Sequence, residues 1–245
     1  PLAVRSLGSY STTQNLYKNR YGNKIIFEEV NHDLELTFRY QWSSSNTFGF
    51  VKKSKLINTG KEAVKVSLLD GIQNIMPASI GSDEQNQSSN LVDAYKRNEL
   101  EESTGLGIFA LSAILVDKAE ASEALKANVV WSIGLNNPKY LLSSLQLNNF
   151  RLGNAVQQEV DVKAEKGAYF LSSDIILEKE SAKEWMIIAN VNQNHSNIAK
   201  LSKQIKEESS LVDIVNDDIN IGTKRLVELN SASDAIQVTS DNLKD

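Results

Sequence analysis

The sequence holds no cysteine, three prolines, two methionines and two histidines in 245 residues. Without cysteine there is no disulfide, no thiolate metal site and no cysteine nucleophile, and the chain suits a reducing compartment, so a cytoplasmic location is the expectation. No apolar run reaches the roughly 18 to 20 residues of a membrane helix. The opening PLAVRSLGSYSTTQN lacks the basic start and apolar block of a secretory leader. Acidic residues outnumber basic ones by 31 to 26 and no Lys/Arg stripe forms, so the electrostatic footprint of nucleic-acid binding is missing. Neither a membrane nor a nucleic acid is therefore an expected partner.

What is present is 41% hydrophobic residues, enough for a large core in one big all-β or α/β domain or two small ones. In DLELTFRYQW, Leu34, Leu36, Phe38, Tyr40 and Trp42 alternate with polar residues, which predicts a strand with one buried face. KIIFEEV before it, FGFVKKSKLIN after it, and EAVKVSLLD beyond the Asn58-Thr59-Gly60 turn extend this to an antiparallel meander over 24–78. SIGSDEQNQSSN reads as a surface loop, LVDAYKRNEL as a short helix near 90–99, and GLGIFALSAILVD as a strand buried between two layers. KANVVWSIGL, GAYFLSSDIILEK and EWMIIANVN are further strands, separated by an Asn-Asn-Pro turn and a blurred stretch. From residue 194 the period changes. Ile198, Leu201 and Ile205, then Leu211, Val215, Ile219, Gly222, Leu226 and Leu229, mark two amphipathic helices. Strands followed by helices argue for a mainly β, antiparallel sandwich with C-terminal helices and against a parallel sheet.

Signals for chemistry are sparse. GLGIFA matches G-x-G-x-x-A, but a charged segment precedes it and a strand-like run follows, the reverse of what a dinucleotide loop requires. Asp218, Asn220 and Gly222 imitate part of a calcium loop with the glycine misplaced and Leu229 where the closing Glu belongs. His32 and His195 have no His or Cys near them in sequence and read as a turn residue and a helix-start residue. No G-x-S-x-G occurs, and a glycosidase pair cannot be picked from 31 carboxylates. Trp42, Trp131 and Trp185 fall on apolar strand faces and read as core rather than a sugar-stacking platform. That leaves the loops, above all LLDGIQNIMPA. Asp70-Gly71 suits a tight turn, and Gln73 and Asn74 can present amides to a partner domain or a glycan, or satisfy backbone groups within the loop.

The blocks LINTGKEAVKVSLLDGIQNIMPA, LVDAYKRNEL, GLGIFALSAILVDKAEASEALKANVVWSIGL, GAYFLSSDIILEKESAKEWMIIANVNQ and DINIGTKRLVELNSASDAIQVTSD together resemble the N-terminal part of large proteins related to cellobiose and chitobiose phosphorylases. The resemblance spans most of residues 50–241 and rests on block order, since no block is a catalytic signature. It implies a galactose-mutarotase-like β-supersandwich, here 1–192, then a helical linker, here 193–245, then an (α/α)6 barrel that holds the general acid. The sequence ends at SDNLKD, about where that barrel would begin, so a piece of a longer protein is expected and the catalytic residue has no counterpart to carry over.

The implied function is a non-catalytic scaffold or substrate-shaping domain of a glycoside phosphorylase-like or hydrolase-like enzyme acting on oligosaccharides. Its expected partners are the barrel and an oligosaccharide, with no cofactor and no metal. Asp70, Gln73 and Asn74 are the candidate residues for substrate binding or domain docking. The helix stripes are expected to be covered only in part by the sandwich, leaving a patch for the barrel or for a homodimer. The alternatives are a stand-alone carbohydrate-binding module and an aldose-epimerase-type enzyme. Mutarotases work with His and carboxylate on one concave face, and two histidines in a turn and at a helix start fit that poorly.

Overall fold

The computed structural model describes residues 11–113 and 124–232. Four strands, β1 (Thr12–Lys18), β2 (Lys24–Asn31), β3 (Leu36–Ser45) and β4 (Gly49–Asn58), form the antiparallel meander. The chain then leaves that sheet as β5 (Val64–Ile75), passes through α1 (Ser82–Gln87) and α2 (Ser89–Tyr95), and returns as β6 (Lys96–Glu101), β7 (Leu106–Leu111) and β8 (Lys126–Ile133). β9 (Lys139–Leu141), α3 (Leu147–Arg151), β10 (Asp161–Lys163), β11 (Gly167–Leu177) and β12 (Ala182–Asn194) follow, then α4 (His195–Glu207) and α5 (Leu211–Ala232). A nine-stranded sheet runs β1-β2-β3-β4-β12-β8-β7-β6-β10, and a three-stranded sheet runs β5-β11-β9. Every pairing is antiparallel.

Because side chains alternate along a strand, the register sorts the large sheet into two faces. On one face Leu56, Trp185, Ile187, Val130, Phe109 and Leu100 meet Leu68, Tyr169, Leu171 and Leu177 of the small sheet. On the other, Val51, Ile188, Met186, Trp131, Val129 and Leu106 meet Leu211, Val215 and Ile219 of α5, with Ile198, Leu201 and Ile205 of α4 beside them. The molecule has three layers: helices, large sheet, small sheet. A third cluster of Leu141, Val156, Ala168 and Phe170 covers the outside of the small sheet.

The mainly β architecture with C-terminal helices agrees with the alternation. Several local expectations need correction. The polar stretch after Ile80 contains α1, because Asp83 and Glu84 favour a helix N-terminus and the Glu84 carboxylate accepts from the Gly81 N–H at 3.1 Å. LVDAYKRNEL is not all helix. It stops at Tyr95, and Lys96 begins β6 with its ammonium buried against Asp93 and Gln85, each at 2.7 Å. The large sheet buries Leu211, Val215 and Ile219 and partly covers Ile198, Leu201 and Ile205, while Leu226 is half-buried and Leu229 is exposed, so the stripes are covered only in part. β9, α3 and β10 lie in the blurred stretch, too short for periodicity to register. Residues 114–117 of the expected GLGIFALSAILVD strand and 233–236 of the expected helix lie outside the described residues.

Candidate functional site

LLDGIQNIMPA is a strand for most of its length. Asp70 and Gly71 do not form a turn; they lie in the middle of β5, opposite Leu171 and Phe170. The glycine is required by close approach, since a Cβ there would stand 2.2 Å from the Tyr169 carbonyl oxygen. Asp70 points between the sheets. Its carboxylate pairs with the Lys52 ammonium and accepts from Ser54 Oγ and Trp185 Nε1, both at 2.8 Å. Lys52 Nζ also donates to the Gly71 carbonyl at 3.2 Å and stands 5.0 Å from the Tyr40 ring centre. The signal for this cluster was present in sequence. Lys52 and Ser54 share a strand face with Leu56, and Asp70 shares one with Leu68 and Ile72, so two opposite charges had to point inward together.

At the end of β5 the register slips, with Ala168 opposite Gln73 and Gly167 opposite Ile75. Asn74 is the extra residue of this bulge and takes a left-handed φ of 58°, which asparagine tolerates. Gln73 and Asn74 are exposed, and Gln73 Nε2 donates to Ser144 Oγ at 3.0 Å. Of the three candidate residues, two sit on this rim and Asp70 is an internal strut.

β5 is one edge of the small sheet; it covers Lys52, Ser54 and Leu56 of β4, and beyond it the same face of β1, β2 and the near end of β3 and β4 lies open among the described residues. Leu16, Ile25, Phe27, Tyr40, Trp42 and Phe50 share that face by register. Leu16 is 65% exposed, Phe50 56% and Phe27 37%, while Tyr40 and Trp42 are half-buried. Phe27 stacks on Tyr40 at 4.9 Å, Tyr40 tilts against Phe38, and Phe38 stacks on buried Trp185, so an aromatic row runs from the core to the open surface. The alternation in β3 predicted these side chains to be buried. Thr37, Ser43 and Ser45 on the opposite face are the buried ones. Trp131 and Trp185 are core, as expected.

The two histidines are at opposite ends of the large sheet. His32 follows β2 at the level where β12 begins, and His195 follows the last residue of β12, roughly 40 Å away along thirteen strand residues. His32 shares a 2.8 Å hydrogen bond with Thr13 Oγ1, and His195 is exposed. The carboxylates whose pKa departs from the ordinary range all depart downwards, among the described residues. Burial pushes Glu28, Glu101 and Asp218 up, but donors outweigh it: Asn15, Arg39 and Tyr17 at Glu28, Ser103 and Thr104 at Glu101, Ser45 and Thr47 at Asp218. Asp161, Asp174, Glu184 and Glu208 are held down first by hydrogen bonds from Arg97, Ser67, Lys55 and Ser210. A glycosidic general acid needs the opposite shift. GLGIFA makes room for rings: Gly107 faces Tyr169, Gly105 faces Tyr140, and the Tyr169 hydroxyl donates to the Gly105 carbonyl at 2.6 Å. Among the described residues no group of three or more His, Cys, Asp or Glu is placed to hold a metal ion.

No family model and no curated protein matches the chain. Among solved structures it is similar over 85% of its length to a bacterial glucoamylase complexed with acarbose, at 8% identity and a TM-score of 0.48, covering 27% of that chain. It is similar over 88% of its length to a protein assigned as a kojibiose phosphorylase from the human microbiome, at 9% identity and a TM-score of 0.42, covering 25% of that chain. The chain thus spans about a quarter of the length of these structures.

Proposed function

We propose that the chain is a non-catalytic supersandwich and linker unit of a glycoside phosphorylase-like or hydrolase-like enzyme, shaping an oligosaccharide site that another domain of the same polypeptide completes. The observation that carries this reading is the open aromatic face of β1–β4. An alternating strand pattern places Phe27, Tyr40 and Trp42 where burial is expected, yet the small sheet stops short of them. A contiguous apolar face of this kind marks an interaction surface. The resemblance of the sequence blocks to the N-terminal part of cellobiose and chitobiose phosphorylase relatives names the partner as an (α/α)6 barrel. Gln73 and Asn74, exposed at the end of β5, are the residues proposed to touch the barrel or the glycan.

Support for the absence of catalysis in the chain itself comes from the separated histidines and the depressed carboxylates. Polarimetry on glucose and galactose tests it: anomer exchange should run at the spontaneous rate with the chain present, and disaccharides should be neither hydrolysed nor phosphorolysed. Catalysed exchange that disappears in His32→Ala or His195→Ala would replace this reading with an epimerase. In the full-length protein, Gln73→Ala with Asn74→Ala should weaken sugar binding or domain association without loss of fold. Wild-type values for affinity, activity and association would reduce the rim to a structural bulge.

A further inference from the structure

The opposite face of the same strands carries a different kind of surface. A groove of about 320 Å³ runs between α5 and β2–β4, near the lower end of the roughly 300–1,000 Å³ range of ligand sites. Register places its floor in three rows. Arg39 lies between Glu28 and Lys55, with Glu184 beyond; Gln41 lies between Ile26 and Lys53; and Ser43 lies beside Lys24. Asn216, Ile219 and Asn220 of α5 form the wall.

Two independent observations point to a ligand. The first is charge. Among the described residues four cations, Lys24, Arg39, Lys53 and Lys55, face two carboxylates, Glu184 in the groove and Glu28 beside it in register, in a chain whose net charge is −5. Glu184 is shared between Lys55 at 2.8 Å and Lys53 at 3.8 Å. Glu28 is the partner of Arg39 and already accepts from Asn15 and Tyr17 as well. Among the described residues the Lys24 ammonium reaches no carboxylate, only the neutral amide oxygen of Asn220, at 3.4 Å. The groove is therefore short of two negative charges. The second is an orphan. Ser43 Oγ, in a residue 7% exposed that lines the groove, is a buried side-chain oxygen with no hydrogen-bond partner, the one such atom among the described residues. A buried hydroxyl without a partner calls for an occupant. Its neighbour two residues on, Ser45, is satisfied by Asp218 of α5, so the helix does not fill this role at Ser43.

We propose that this groove binds a phosphate dianion, free or as the monoester of a small polyol, with Lys24, Lys53 and Ser43 on the phosphate and the Gln41 and Asn216 amides beside it. A dianion matches the excess of two charges, and donors outnumber acceptors along the floor. Ile26 and Ile219 give the apolar flank that a carbon skeleton would lie against. The site is on the helix side of the sheet, apart from the aromatic face, and does not depend on the function proposed above.

Calorimetric titration of the whole chain at low ionic strength, with inorganic phosphate and separately with glycerol phosphate, tests this. Saturable one-to-one binding is expected. Lys53→Ala and Lys24→Ala should each weaken it about tenfold, the loss of one charge-assisted contact. Ser43→Ala should weaken it by a smaller factor with an unchanged circular dichroism spectrum. Glu184→Gln should tighten it, because the competing carboxylate goes. Stronger binding of the ester identifies a phosphorylated polyol, and equal binding identifies the free anion. No saturable binding of either, or equal weakening by Lys61→Ala in the distant β4–β5 turn, would overturn the proposal.

Discussion

Asp70 holds three donors at once, and removing its carboxylate strands all of them. Asp70→Ala leaves the Lys52 ammonium buried without its counter-charge and takes the acceptor from Ser54 and Trp185. Urea denaturation should show a loss of about 3–5 kcal/mol. Adding Lys52→Met should restore part of it, since the unpaired charge goes too; an equal loss in the single and double variants would mean that the pair is not the cause. At this scale the sequence is legible only in part. The Asp-Gly pair has the composition of a tight turn, but Gly71 is there to let β5 approach the Tyr169 backbone, and the chirality-demanding position is Asn74, three residues on. Nothing local to the dipeptide separates the two uses of glycine; the inward-facing Lys52 in FGFVKKSKLIN does, because it demands an acid on the facing strand.

Among the elements, α4 and α5 behave as a layer of the fold. Ile219 is 5% exposed against the large sheet, while Ile221, two residues on and therefore on the opposite side of the helix, is 48% exposed. Ile219→Ala should cost about 2–5 kcal/mol, whereas Ile221→Ser should stay within about 0.5 kcal/mol, by thermal or chemical unfolding. A small effect at Ile219 would show the helices to be loosely held. The spacing of Ile198, Leu201, Ile205, Leu211, Val215 and Ile219 was sufficient to place both helices, because a long amphipathic period is repeated many times. The order of the strands was not readable, since alternation says which residues share a face and never which strand lies alongside. For the same reason β3 was predicted to have a buried aromatic face: the pattern reports an apolar face, and whether a second sheet reaches it is decided by where β5 runs.

For the whole molecule the depressed carboxylates set the acid limit. Each of Glu28, Glu101, Asp161, Asp174, Glu184, Glu208 and Asp218 has a lower pKa folded than in an unfolded chain. Their contribution is full above the ordinary carboxylate value of roughly 4 and is lost as pH falls through the lowered folded values. Tyr40, Tyr140 and Tyr169 are pushed the other way, chiefly by burial. Their contribution is full below the ordinary tyrosine value of roughly 10 and fades as pH rises through the raised ones. The melting temperature should therefore be flat through neutrality and fall on both sides, and Glu28→Gln should soften the acid fall. A melting temperature that climbs below pH 4 would contradict this. The position of β12 has a consequence for how such a chain is made. It is the last strand, yet it lies in the middle of the large sheet, joining β4 to β8. During synthesis β1–β4 can zip up as soon as they emerge, through local hairpins, while β6–β8 assemble separately. The two halves meet only when residues 182–194 appear, and until then β4 and β8 each present an open edge to any other strand nearby. The slow step of folding should thus be the insertion of one central strand between two waiting half-sheets, since its pairing with β4 spans the greatest sequence distance in the sheet.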